Sequence, residues 1–166
     1  MNSIAIVVSA SSRLLADIIL IRLRRAGIDC KKISALFPTR SAPNTVGCWL
    51  PVAQGPGIRL GDETIDCAGP LRKDPARTGG PADIPYGIVE LLTRAGVEAM
   101  GAHILVEQLE QGRILLCVHA TNEVEASIAW HVFHHSGAEP IVMGSMLSHG
   151  VRREPHHVLP RAPVAA

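Results

Sequence analysis

The stretch that most restricts the fold is Ile114 to His119, reading Ile-Leu-Leu-Cys-Val-His. Successive side chains of a strand point to opposite faces, so Ile114, Leu116 and Val118 lie on one side and Leu115, Cys117 and His119 on the other. Both sets are largely apolar. A sheet built on such a strand is covered twice, because a bare second face would expose more contiguous apolar surface than soluble monomers carry. Ile4 to Val8 is a second run of the same kind. The cover is expected from the inserted middle of the chain or from the same face of another subunit. The second option makes a homo-oligomer the expected state, with Leu115, Cys117 and His119 at its interface.

The elements around these strands follow from their punctuation. Ser11 or Ser12 can cap a helix running to about Arg25, with Gly27 just beyond its end. On that helix Arg13, Asp17 and Arg24 share one narrow arc, and leucines and isoleucines fill most of the rest. The segment DCKKISALFP reads as a strand interrupted by Pro38. Residues 38–83 are rich in Gly, Pro, Thr and Asp and hold two weaker strand signals, GCWLPV and GIRLGDETIDC. The second carries a hairpin turn at Gly61-Asp62. A helix with Pro85 in its first turn then ends at Gly96, and another runs from about Val97 to Gln111. The strand RILLCVHA is followed by a helix from Asn122, with Glu125 as the capping-box partner, and by a last strand in AEPIVMGS. Residues 1–150 are therefore read as one α+β domain with an insertion at 38–83. Residues 151–166, aperiodic and proline-bearing, are read as a flexible tail. Two β-α-β halves predict a ferredoxin-like split βαβ sheet with an inserted hairpin and an extra helix. A flavodoxin-like three-layer α/β sheet meets the same two-sided constraint and is the alternative.

Composition removes several function classes. Lys and Arg total 16 against 15 Asp and Glu, and aromatics make up 3% of the chain. Neither a basic field nor a stacking platform is present to recommend nucleic acid as a partner. The longest apolar stretch, LLADIILI, is too short to span a bilayer and contains Asp17, so no membrane role is expected. The N-terminal residues lack the charged leader of a signal peptide, and the four cysteines are widely spaced without a Cys-x-x-Cys pair. The expected location is the cytoplasm, with reduced thiols.

Candidate sites are few. His131, His134 and His135 fall in the arc opposite the apolar face of their helix, together with Glu123 and Ser127. His131 and His135 are four residues apart, a spacing that can hold a transition metal. A zinc site needs three or four protein ligands, and His119 is the further candidate. The commoner role of such residues is a solvated helix face for the first pair and a satisfied or interface histidine for His119. Nothing near Cys117 in sequence would lower its pKa, so it reads as a core or interface residue. SASSR, between the first strand and its helix, could cradle a phosphate on its amides. It lacks the glycines and the Gly-Lys-Ser/Thr that such loops use, and helix capping explains it. No Gly-x-Ser-x-Gly occurs, no catalytic residues are proposed, and no cofactor is expected.

The segment LLTRAGVEAMGAHILVEQLEQGRILLCVHATNEVEASIAWHVFHHSGAEPI resembles the C-terminal half of the small bacterial proteins known as general stress or heat-induced stress proteins. The segment IAIVVSASSRLLADIILIRLRRAGIDCKKISAL is similar to their first β-α-β unit, and together the two cover about half of the chain. The glycine-zipper middle of many relatives is replaced here by NTVGCWLPVAQGPGIRLGDETIDCAGPLRKD, and Leu105 stands where relatives often have Tyr. The resemblance implies a ferredoxin-like fold without a catalytic set. It also implies a non-enzymatic, stress-associated module that associates with itself or with a protein partner. A small-ligand or metal sensor is the alternative.

Overall fold

The computed structural model describes residues 4–46, 50, 57–71 and 87–145. Among these, six strands form one sheet: β1 (Ile4–Ala10), β2 (Ile33–Pro38), β3 (Ile58–Leu60), β4 (Glu63–Ala68), β5 (Ile114–Ala120) and β6 (Ile141–Ser145). Four helices accompany them: α1 (Arg13–Arg25), α2 (Gly87–Arg94), α3 (Ala99–Glu110) and α4 (Glu123–Ser136). The strand order is β3-β4-β2-β5-β1-β6, and every neighbouring pair is antiparallel. The class is α+β. The flavodoxin-like alternative falls, because that arrangement needs adjacent parallel strands.

The termini of the two long helices on the first face are set by local chemistry. The Leu15 N–H donates to Ser12 Oγ at 3.1 Å, and the Glu125 N–H donates to Asn122 Oδ1 at 2.9 Å. The Glu125 carboxylate reaches one residue further out than a standard capping box, accepting from the Thr121 N–H and hydroxyl, both at 2.8 Å. Bonds from the Lys32 ammonium and then from Thr121 hold its carboxyl at about 2, below the ordinary 4.5. Lys32 closes β2 onto the start of α4 through this contact.

Each face of the sheet has its own core. Ile6, Ile33, Leu116 and Val118 meet Ile19, Leu20 and Leu23 of α1 and Phe133 of α4. On the other side Val7, Leu36, Leu115 and Cys117 meet Leu92 of α2 and Leu105 and Leu109 of α3. The two-sided strand is thus enclosed as its pattern requires. The cover, however, is neither the insertion nor another subunit. It is the helix pair 87–110 of the same chain, and the insertion instead lengthens the sheet as the β3–β4 hairpin turning at Gly61-Asp62. Ile58, Ile65 and Cys67 of that hairpin extend the second core sideways.

Two helix faces differ from their sequence expectation. Asp17 is only 8% exposed, whereas Leu14 is 69% exposed. Asp17 accepts from the Thr45 N–H at 3.0 Å and the Thr45 hydroxyl at 2.8 Å, and Arg13 bonds Asn44. Asp17 therefore holds the chain after β2, while Arg13 and Arg24 on the same arc stay exposed. On α4, the apolar Val124 is 69% exposed, while Ala126, Ala129 and Phe133 carry the contact. Most of the GCWLPV segment, Pro85 and residues 151–166 lie outside the described residues.

Candidate functional site

The histidine cluster is on the wet side of α4: His131, His134 and His135 are all exposed. The rings of His131 and His135 stack with centroids 6.1 Å apart, and His134 stacks on Trp130 at 4.7 Å. His131 Nδ1 lies 2.7 Å from the Ser127 carbonyl and His135 Nδ1 lies 2.8 Å from the His131 carbonyl. A carbonyl only accepts, so both Nδ1 atoms carry the hydrogen and the Nε2 lone pairs remain. Their proposed third partner is elsewhere. His119 shares the sheet side of Leu115 and Cys117, so the sheet itself separates it from α4. Among the described residues no group of three or more His, Cys, Asp or Glu side chains could hold a metal ion.

His119 is tied to a residue that sequence reasoning did not single out. Its Nε2 lies 2.8 Å from Ser34 Oγ, and the same oxygen accepts the Leu71 N–H at 2.8 Å. Ser34 is fully buried. The signal for it was available: a hydroxyl inside the apolar run Ile33 to Phe37 needs a buried partner. The network joins β2, β5 and the chain leaving β4. Burial holds the His119 imidazole below its ordinary 6.5. The unfolded chain then takes up the proton first, so stability is complete above pH 6.5 and erodes as the pH falls below it. Urea midpoints measured at pH 7.5 and 5.5 are expected to drop more for the wild type than for His119→Gln. An equal drop would locate the acid sensitivity elsewhere.

Leu115 and Cys117, expected at an interface between subunits, are 1% and 2% exposed within one chain. Burial also pushes the Cys117 thiol up to about 12, so it stays protonated and is no nucleophile.

The SASSR turn faces a cavity of about 160 Å³ lined by Ser9, Ser11, Leu15, Arg113, Gly137, Ala138 and Glu139. It lies at the end of the sheet where β1 exits, β5 begins and β6 is about to start. The Ser9 N–H donates to the Pro140 carbonyl at 3.2 Å. Ser9 is fully buried, and its hydroxyl donates to Gln108 Oε1 at 3.2 Å. Arg113 Nη1 donates to the Glu139 carbonyl at 2.9 Å and, more loosely, to Ser9 Oγ at 3.4 Å. No local pattern in the sequence marks Arg113, since its partners are 26 and 104 positions away.

These features define an α+β protein with a six-stranded antiparallel sheet between two pairs of helices. No protein-family model, no curated protein and no solved structure matches the chain. No helix among the described residues is long and apolar enough to cross a membrane.

Proposed function

We propose that this chain is a non-enzymatic module that works by associating with copies of itself, in the stress-related role that the family resemblance implies. One observation carries the association. Met100 and Ile104, one turn apart on α3, are 76% and 41% exposed, an apolar pair on the outside of the layer that covers the second sheet face. Burying such side chains is favourable by roughly 1.5–3 kcal/mol each. This surface replaces Leu115, Cys117 and His119 as the place where two copies would meet.

The ferredoxin-like reading belongs to the same proposal. It is supported by the order β2-β5-β1-β6, in which β1 and β2 each pair antiparallel with β5 and so run parallel to one another. It is supported too by α1 and α4 sharing one face, as the helices of a split βαβ pair do.

Light scattering on the full chain is expected to give twice the 17.7 kDa mass of one chain. Met100→Lys should weaken association at least tenfold, since a lost contact of about 1.4 kcal/mol already gives that factor. A wild-type protein that stays at the single-chain mass at high micromolar concentration would overturn the reading.

A further inference from the structure

We infer that the cavity beside the SASSR turn is a binding site for a small phosphate-type oxyanion, held by the Arg113 guanidinium with the Ser11 hydroxyl. The inference is independent of self-association and rests on Arg113. A guanidinium presents five N–H donors in a fixed fork, and its natural partner is a carboxylate or phosphate gripped by two of them. Among the described residues Nη1 alone is engaged, by the neutral oxygens of Glu139 and Ser9. Those contacts fix the group at the cavity wall. Among the described residues no carboxylate comes within ion-pair distance of it. The positive charge is therefore oriented but not neutralised, and Nη2 and Nε are left to receive an anion.

The rest of the lining agrees in sign. Ser11 adds an exposed hydroxyl at the cavity wall, and the first turn of α1 beside it has no acidic side chain. A single water needs only about 10–15 Å³ of such space, so about 160 Å³ leaves room for a tetrahedral oxyanion with part of its hydration. One group opposes. Glu139, an exposed acidic residue, also lines the cavity. An anion binds here against that repulsion, which gives the site a variant expected to improve it. Arg13, the cation within SASSR, bonds Asn44 and does not line the cavity, so the cavity's cation is supplied from the start of β5, one hundred residues along the chain.

The test is titration of the full-length protein with inorganic phosphate at constant ionic strength in chloride, followed by calorimetry and by amide shifts of Ser11 and Gly137. The wild type should bind saturably. Arg113→Met should bind at least tenfold more weakly, and Glu139→Gln should bind several-fold more tightly. Because Arg113 also ties Glu139 to Ser9, circular dichroism checks that its variant folds, and Glu139→Gln, an exposed change, keeps the question open if it does not. Methyl phosphate run in parallel separates free phosphate from a phosphate monoester as the preferred form. Absence of saturable phosphate binding by the wild type, or binding unchanged in both Arg113→Met and Glu139→Gln, would overturn the site.

Discussion

Gly69→Ala is expected to lower stability by about 3 kcal/mol or more, the sum of left-handed backbone strain and a steric clash. Gly69 has φ +86°, and a Cβ there would lie 2.1 Å from the Ile33 carbonyl oxygen and 2.8 Å from Ser34 Cα. Both are backbone atoms of the neighbouring strand β2, which cannot swing aside as a side chain does. The close approach has a structural purpose. It brings the chain leaving β4 against β2, so that the Leu71 N–H reaches Ser34 Oγ and completes the buried link to His119. Gly27→Ala is the matched control, with φ +95° and nothing within 4 Å of the added carbon. It should lose only the strain, about 1–2 kcal/mol. Urea unfolding of both variants measures the difference, and equal losses would mean that the approach of the two strands carries no stability of its own.

What the sequence disclosed and what it hid divide along the distance between partners. Ser12, Asn122 and Glu125 act on amides within four residues, so the starts of α1 and α4 were legible. The alternation of Ile114 to His119 is equally local, and it correctly required two covered faces. It did not say which segment supplies the second cover, because an apolar face is equally satisfied by any apolar surface. The α1 arc shows the same limit. A helical wheel sorts residues by angle only, and it placed Asp17 with the arginines without registering that Thr45 would arrive to bond it and enclose it. His119 was assigned to the correct side of the sheet by parity. That same parity separates it from His131 and His135, once α4 is seen to pack on the opposite face. Arg113 was the least legible, since its surroundings are assembled from the ends of three strands and two helices.

Leu105→Ala should cost about 2–5 kcal/mol, the range for removing a large aliphatic side chain from a core that closes only partly around the cavity. Leu105 is fully buried between α3 and the second sheet face, in the cluster that contains Val7, Leu115 and Cys117. Ile104, its immediate neighbour in sequence, is 41% exposed on the outside of the same helix, and Ile104→Ala should stay within about 0.5 kcal/mol for an isolated chain. The contrast between two adjacent aliphatic residues tests which surface covers the sheet. With α3 as the cover, Leu105→Ala reduces stability by the same amount at every protein concentration, because the lost contacts lie within one chain. With a second subunit as the cover, the loss would depend on concentration, by mass action. Denaturation of both variants at low and high protein concentration separates the cases. It also isolates self-association through Met100 and Ile104, since in that arrangement the Ile104→Ala effect is the one that grows with concentration.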